Sequence, residues 1–301
     1  MEKWTTDNIP DLRGKTMLVT GANSGIGFET SLALAQKGAH VIMACRDQRK
    51  ADEAKERLTR IVPAARITLV TLDLADLDSV RNCAEAVIQT HDQLDVLINN
   101  AGVMATPYSK TKQGFEMQIG TNYLGHYALT GLLLPILQAT PGSRTVSLSS
   151  LGANYGKLDL DDIMSEHKKY KTYDAYSQAK LANLVFALEL ARKLEASGSE
   201  TISIAVHPGG SPTNLQRTSG FLMAKIITPL LSQSADKAAL PSLLAATDGS
   251  ARNGSYWGPT GFMKLKGYPG PAAIPKQAKD LESARRLWEL GEQLTGVKYS
   301  F

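Results

Sequence analysis

Residues 20–27 read Thr-Gly-Ala-Asn-Ser-Gly-Ile-Gly and follow directly on the apolar run Met17-Leu18-Val19. A short strand, a glycine-rich turn and a helical pattern in this order predict a helix N-terminus whose free N–H groups face a phosphate. Gly21 permits the turn, Gly25 allows a ligand to approach, and Gly27 allows the helix to pack on the strand. The spacing Gly-x-x-x-Gly-x-Gly differs from the commoner Gly-x-Gly-x-x-Gly, and glycines after a strand often form only a tight turn. The stretch alone leaves both interpretations open.

Composition excludes several classes of function. The 301 residues carry 33 basic and 29 acidic side chains, and the net charge of +4 is too small and dispersed to indicate nucleic-acid binding. Cys45 and Cys83 provide no disulfide framework, so we expect a reducing, cytoplasmic location. Charged residues near the N-terminus, and Lys225 and Pro229 in the most apolar segment, argue against a signal peptide or membrane anchor. The histidines are scattered, and no spacing suits a metal.

Strand and helix patterns alternate along the chain. After the first strand, strands are predicted at 41–45, 67–72, 94–98, 145–148 and 202–206, with a last one within 254–266. Helices are predicted at 26–37, 47–62, 76–90, 113–138, 175–196, 234–246 (kinked or broken at Pro241) and, on the surface, 274–294. Repeated βα units predict a parallel sheet with helices on both faces. We therefore expect a single doubly wound α/β domain over residues 1–301, with a mostly parallel, seven-stranded sheet.

Polar or glycine-rich residues follow each predicted parallel strand, where ligands of such sheets bind. After the glycine turn they are Arg46, Asp73-Leu74, Asn99-Asn100-Ala101-Gly102, Ser149-Ser150 and His207-Pro208-Gly209. This agreement favours a nucleotide site at the carboxyl edge of the sheet.

The residue after the second strand indicates which dinucleotide binds. An acidic residue here holds a ribose 2′-hydroxyl, whereas an Arg accommodates a 2′-phosphate. The strand ends at Cys45 and is followed by Arg46, whose guanidinium can bind a phosphate in bidentate fashion. NADP(H) is therefore favoured over NAD(H). The alternative is that Arg46 is an ordinary surface charge, with Asp47 capping the next helix.

Tyr176 and Lys180 lie four residues apart in a strongly helical segment and so share one face. A neighbouring ammonium can make a phenol an effective acid or base near neutral pH. The pair alone is weak, because an aromatic residue and a surface Lys often have this spacing. Tyr173 has no Lys on its face.

Taken together, these motifs resemble the short-chain dehydrogenase/reductase family over about residues 13–215. The matching residues are Thr20-Gly21-x-x-x-Gly25-Ile26-Gly27, Asp73, Asn99-Asn100-Ala101-Gly102, Asn122, Ser150, Tyr176 with Lys180, and Pro208-Gly209 with Thr213. Residues 44–47, 121–126 and 176–183 look most like the retinol-dehydrogenase-like branch. The resemblance implies a Rossmann fold.

The resemblance also implies catalytic roles. Tyr176 would exchange a proton with the substrate oxygen, and Lys180 would bind the nicotinamide ribose and lower the pKa of Tyr176. Ser150 would bind the carbonyl oxygen, and Asn122 would orient a water that links Lys180 to solvent. Ser149 is the ambiguous neighbour. We choose Ser150 because it directly precedes Leu151-Gly152-Ala153, and expect the Ser149 hydroxyl to bond to backbone.

The implied coenzyme-binding residues come from every strand end. Asp73 is placed to bond the adenine amino group, Asn100 lines the groove, and Thr213 can reach the nicotinamide carboxamide. The full set is Gly21, Asn23, Ser24, Gly25, Ile26, Gly27, Arg46, Asp73, Leu74, Asn100, Ala101, Gly102, Tyr176, Lys180, Pro208, Gly209 and Thr213.

The chain departs from the family pattern around the substrate side. Residues 157–171 insert an acidic and then basic segment between Ser150 and Tyr176, and a glycine, Gly210, follows the Pro208-Gly209 turn. We interpret residues 210–232, apolar from 215 to 231, as a cap over the substrate, the alternative being an ordinary helix pair. Residues 265–301 form a C-terminal extension.

These features favour an NADP(H)-dependent oxidoreductase acting on a lipophilic ketone, aldehyde or alcohol. A non-catalytic NADP(H)-binding regulator is the alternative, although such proteins usually lose the Tyr or the Lys. A nucleotide-sugar epimerase or dehydratase would need a larger C-terminal domain. Pairing into homo-oligomers through residues 113–138 and 175–196 is possible in this family, and the substrate and reaction direction stay open.

Overall fold

A computed structural model of the chain describes residues 3–210 and 233–301. Its strands form one sheet of order β3-β2-β1-β4-β5-β6-β7-β8, and all neighbours are parallel except β7 and β8. The strands are β1 Thr16–Thr20, β2 His40–Cys45, β3 Arg66–Thr71, β4 Val96–Asn99, β5 Arg144–Leu148, β6 Ile202–Val206, β7 Tyr256–Pro259 and β8 Pro269–Pro271. The order reverses between β1 and β4, so the predicted doubly wound Rossmann fold is confirmed.

Helices cover both faces of the sheet. They are α1 Gly25–Gln36, α2 Gln48–Ile61, α3 Leu77–Thr90, α4 Gly125–Ala139, α5 Thr172–Ala196, α6 Ala235–Thr247 and α7 Leu281–Thr295. One apolar core joins α1, α2 and α6 to one face, and two further clusters join α3, α4, α5 and α7 to the other. Alternate residues of β1 supply both sides: Met17 and Val19 face the first core, and Leu18 the opposite one.

The expectation of seven strands was wrong by one, because a further short strand lies at the sheet edge. β8 pairs antiparallel with β7, with Gly258 opposite Gly270. Its sequence Pro-Gly-Pro lacks the β-branched pattern that identifies strands, and proline cannot donate to a ladder. Such a segment is tolerated only at an edge, where it also protects the sheet from further pairing.

The helix predicted over 113–138 starts later and is irregular. A single α-turn, Met117–Ile119, is capped by Glu116 and leads into a π-helical turn, Gly120–Leu124, before α4 begins. Residues before Glu116 form a turn instead, closed by a bridge between Lys110 and Glu116. π-turns inside helices are rare and frequently occur at functional sites. This one contains Asn122, which is hydrogen-bonded to Val103 in the segment after β4.

The C-terminal helix is shorter and more buried than expected. Pro275 precedes a 3-10 turn, Lys276–Lys279, and α7 begins only after its cap, Asp280. Trp288 is 5% exposed and lies against the rings of Tyr127, Phe186 and Tyr299. α7 therefore covers α4 and α5, the helices considered above for pairing between copies.

The structure confirms the predicted N-terminal capping residue of α2 and shows no break in α6. Asp47 caps α2 by accepting from the Lys50 N–H, as expected, and α6 runs through Pro241 without ending. Within residues 254–266, where the last strand was predicted, only Tyr256–Pro259 (β7) forms a strand. Across residues 3–210 and 233–301, no helix combines the length and apolar character needed to cross a membrane. The predicted cap, residues 210–232, lies outside the described residues except for Gly210.

Candidate active site

A groove of about 420 Å³ runs along the carboxyl edge of the sheet. It is lined by all of the predicted coenzyme-binding residues except Gly209 and Thr213: Gly21, Asn23, Ser24, Gly25, Ile26, Gly27, Arg46, Asp73, Leu74, Asn100, Ala101, Gly102, Tyr176, Lys180 and Pro208. Thr213 falls outside the described residues. Gly209 instead packs against the loop after β7, since a Cβ there would lie 2.5 Å from the Leu265 carbonyl oxygen.

The glycine turn is compact in a way that only residues without a Cβ allow. Gly21 has φ of 65° and Gly25 φ of 53°, both in the left-handed region that glycine adopts without strain. Gly27 lies so close to the turn that a Cβ would be 2.3 Å from the Gly21 carbonyl oxygen. These glycines bring the N-terminus of α1 to the groove, where its N–H groups and dipole favour an anion.

Arg46 and Asp73 are two charged residues that line the groove. Arg46 is exposed, directly after the buried end of β2, and no carboxylate occupies that position. One Asp73 carboxylate oxygen accepts from the Ala75 N–H at 3.0 Å, which orients the side chain at the groove wall. Behind the turn, the Cys45 sulfur accepts from the backbone N–H groups of Ala22 and Asn23, while burial raises the pKa of this thiol to about 11.

Tyr176 lines the groove, and Ser150 lies next to it but is not one of the lining residues. The two side chains are hydrogen-bonded, and the Ser150 Oγ also accepts from the Gly152 N–H at 3.1 Å. Ser149 lines the groove, but its hydroxyl donates to the Lys180 carbonyl at 2.7 Å. The structure thus brings Ser150 to Tyr176, and it gives Ser149 the backbone bond expected of a strand-end serine.

Lys180 lies one turn after Tyr176 on α5 and is 5% exposed. Its Nζ donates to the Leu148 carbonyl at 3.1 Å, and burial lowers the pKa of the ammonium to about 8. The pKa of half-buried Tyr176 is raised by burial and lowered only by its hydrogen bond with Ser150. We expected Lys180 to lower the pKa of Tyr176, but this pKa is raised. Desolvation of the phenolate raises it by more than the hydrogen bond with Ser150 lowers it.

Asn122 supports the site from behind the groove. It is fully buried, its Oδ1 accepts from the Val103 N–H at 2.8 Å, and its Nδ2 donates to the Val103 carbonyl at 2.9 Å. A Cβ on Gly102 would lie 2.8 Å from this Oδ1 and 3.4 Å from the Lys180 Nζ. Asn122 therefore holds the segment after β4 directly beside Lys180, with its amide bonded to backbone rather than facing the groove.

The inserted segment 157–171 is hydrogen-bonded to residues that support the groove wall. The Tyr170 hydroxyl donates to the buried carboxylate of Glu116 at 2.8 Å, and the Gln118 amide donates to the Tyr170 oxygen at 2.8 Å. Gln118 also accepts from the N–H of Ala105, whose φ of 55° is unusual for a residue other than glycine. The insert thus holds a strained segment of the groove wall in place.

Several lining residues were missed from the sequence. They are Ala44, Leu72, Val103, Met104, Thr106, Thr121 and Leu148. The segment from Val103 to Thr106 continues directly from Asn99-Asn100-Ala101-Gly102, so position after a strand was a usable signal for it. No cluster of three or more His, Cys, Asp or Glu side chains within the described ranges could hold a metal ion.

The parallel sheet, the glycine turn and the Ser150–Tyr176–Lys180 group together define a dinucleotide-binding oxidoreductase. Residues 15–220 match the short chain dehydrogenase family, and the chain belongs to that family. It is 41% identical over 294 residues to retinol dehydrogenase 13 from Homo sapiens, covering 95% of this chain and 86% of the relative. It is 39% identical over 303 residues to retinol dehydrogenase 14 from Mus musculus, covering 95% and 87%.

A solved structure has a similar architecture. The crystal structure of an uncharacterised protein from Mycobacterium paratuberculosis has a TM-score of 0.84 and 40% identity, and the match covers 100% of both chains. The relatives place the chain in the retinol-dehydrogenase-like branch, so both the predicted family and the predicted branch are confirmed.

Proposed function

We propose that this protein is an NADP(H)-dependent oxidoreductase that interconverts a lipophilic carbonyl compound and its alcohol, with Tyr176 as the proton donor and acceptor. The observation that carries this proposal is that Tyr176 and Lys180 line the same groove as Arg46, with Ser150 hydrogen-bonded to Tyr176.

The side chains supply the proton chemistry and the orientation. A nicotinamide coenzyme, when bound, donates or accepts the hydride. Burial keeps the Tyr176 phenol protonated at neutral pH, so in the reductive direction its hydroxyl can donate to the substrate oxygen. Ser150, bonded to the same hydroxyl, supplies a second donor to that oxygen. The Lys180 ammonium donates to the Leu148 carbonyl and has further N–H donors for the ribose hydroxyls.

Support for NADP(H) comes from the charge at the end of β2. A carboxylate there would repel a 2′-phosphate, whereas the exposed Arg46 guanidinium can bind it with charge-assisted hydrogen bonds. Arg46→Asp should therefore lower kcat/KM with NADPH by at least about tenfold relative to kcat/KM with NADH. Steady-state kinetics with both coenzymes measure this ratio. An equal loss with the two coenzymes would reject the assignment of Arg46.

Two observations support a lipophilic substrate. Val103, Met104 and Leu148 give the inner wall of the groove an apolar surface, and apolar walls with a few polar groups are typical of sites for small organic ligands. The relatives that are 39–41% identical are named retinol dehydrogenases, which makes retinoids the first substrates to test.

The deciding experiment is turnover by the purified protein. We expect consumption of NADPH with at least one of a panel of retinoid, steroid and aliphatic aldehydes or ketones. The same panel with NADH should give lower kcat/KM. Tight NADPH binding without turnover of any member would instead favour the non-catalytic regulator.

A further inference from the structure

His126 is a fully buried residue that the proposed chemistry does not use. It lies in the first turn of α4, 2% exposed, directly below the groove. Its Nδ1 is 2.9 Å from the carbonyl oxygen of Asn122, and its Nε2 is 3.0 Å from the hydroxyl oxygen of Thr20. The ring therefore joins the π-turn before α4 to the end of β1, where the glycine turn begins.

The partners of the ring determine where its proton lies. A carbonyl oxygen can only accept, so the Nδ1 of His126 must carry the hydrogen. Burial and the nearby charge of Lys180 lower the pKa of His126 to about 4, so the ring is neutral and Nε2 is an acceptor. The Thr20 hydroxyl must then donate to Nε2. Its alternative acceptor, the Ile98 carbonyl, is farther away at 3.4 Å.

The direction of that bond leaves both lone pairs of the Thr20 oxygen free to accept. They receive the backbone N–H groups of Asn100 and Ala101, each at 2.9 Å. The Asn100 side-chain amide returns a bond to the Thr20 carbonyl at 2.7 Å. One continuous chain of hydrogen bonds thus runs from the π-turn through His126 and Thr20 to the loop after β4, and every member is satisfied.

We propose that His126 is a positioning residue that, as the Nδ1–H tautomer, holds the glycine turn, the loop after β4 and the π-turn in the arrangement that binds the coenzyme. Without its acceptor nitrogen, the Thr20 hydroxyl is free to rotate toward Ile98 and lose its alignment with Asn100 and Ala101. Without its donor, the Asn122 carbonyl is buried beside Lys180 with no side-chain partner. This inference rests on the groove being the coenzyme site proposed above.

The tautomer can be measured in the unmodified protein, which avoids any question of folding. His207 is an internal control: it is equally buried and its pKa is also lowered to about 4, but its Nδ1 accepts from the Gly209 N–H. Nitrogen NMR of ¹⁵N-histidine-labelled protein at neutral pH should show protonated Nδ1 for His126 and protonated Nε2 for His207. Protonated Nε2 at His126 would overturn the proposal.

A double-mutant cycle tests the coupling to coenzyme binding. His126→Leu and Thr20→Val each remove a partner of the same hydrogen bond, and each should raise the Kd for NADPH by about tenfold. The double variant should raise the Kd by less than the product of the two single effects, because both changes remove the same Thr20–His126 bond, although His126→Leu also removes the bond to the Asn122 carbonyl. A product of the single effects, or an unchanged Kd in folded His126→Leu, would overturn the proposal. Wild-type protein that binds neither NADPH nor NADH would reject the proposed function and the coenzyme role of His126 together, whatever the tautomer.

Discussion

Gly27→Ala is the substitution with the most direct structural consequence for the coenzyme groove. The added Cβ would lie 2.3 Å from the Gly21 carbonyl oxygen and 2.6 Å from the Asn100 amide nitrogen. Carbon and oxygen atoms in contact are normally more than about 3 Å apart, so the glycine turn must retreat from α1 by about 1 Å. That movement also disturbs the bond between the Asn100 amide and the Thr20 carbonyl.

These contacts determine how much Gly27→Ala lowers the free energy of unfolding. Overpacking of this kind costs about 1–3 kcal/mol, and loss of the Asn100 bond costs about 1 kcal/mol more. The higher helix propensity of Ala returns somewhat less than about 1 kcal/mol. We therefore expect Gly27→Ala to lower the free energy of unfolding by about 1–3 kcal/mol. The Kd for NADPH should rise by at least about tenfold, because the displaced N–H groups no longer converge on the phosphate.

Urea unfolding and a fluorescence titration with NADPH measure the two effects. Gly249→Ala is the matched control, since no atom lies within 4 Å of its Cβ position and its φ needs no glycine. The control should be neutral or slightly stabilising, by less than about 1 kcal/mol. The reasoning is refuted if Gly27→Ala retains wild-type stability and NADPH affinity, or if the control loses as much.

Three further predictions follow from the site and the core. With the pKa of Lys180 lowered to about 8, kcat/KM for carbonyl reduction should fall above about pH 8 as the ammonium loses its proton, and Lys180→Arg should abolish that decline. Trp288→Ala should lower the free energy of unfolding by about 3–5 kcal/mol, whereas Phe301→Ala, 43% exposed, should cost less than about 1 kcal/mol in urea unfolding. Tyr170→Phe removes a donor to the buried Glu116 carboxylate, so kcat/KM for the carbonyl substrate should fall about tenfold while a titration shows unchanged NADPH affinity.

The groove could be predicted well because it depends on short-range patterns. Each parallel strand ends at the same edge, so the residues directly after strands converge whatever the details of packing. That rule gathered residues as distant in sequence as Gly21, Arg46 and Pro208 into one groove. The family was identified from the whole set of motifs, and these too are short-range: the spacing of Tyr176 and Lys180, for example, is set by one helical turn.

The features that were missed depend on tertiary contacts. The π-turn before α4 is stabilised by the bond from His126 to the Asn122 carbonyl, which no periodicity reveals. The sign of the pKa shift at Tyr176 depends on how deeply the ring is buried, and the role of the insert depends on Tyr170 reaching Glu116. Partners distant in sequence decide all three, so residue patterns could place these side chains near the site but could not assign their contacts.

The central claim is that the Tyr176 hydroxyl transfers the proton that accompanies hydride transfer. Single-turnover rates of NADPH oxidation with an accepted carbonyl substrate, compared for Tyr176→Phe and Tyr173→Phe, test it most directly. Tyr173 lies on the same helix, one turn earlier, and is 57% exposed. Tyr176→Phe should bind NADPH as wild type does and react on the order of 100- to 10,000-fold more slowly, with Tyr173→Phe unaffected. A Tyr176→Phe rate within about threefold of wild type would contradict the account.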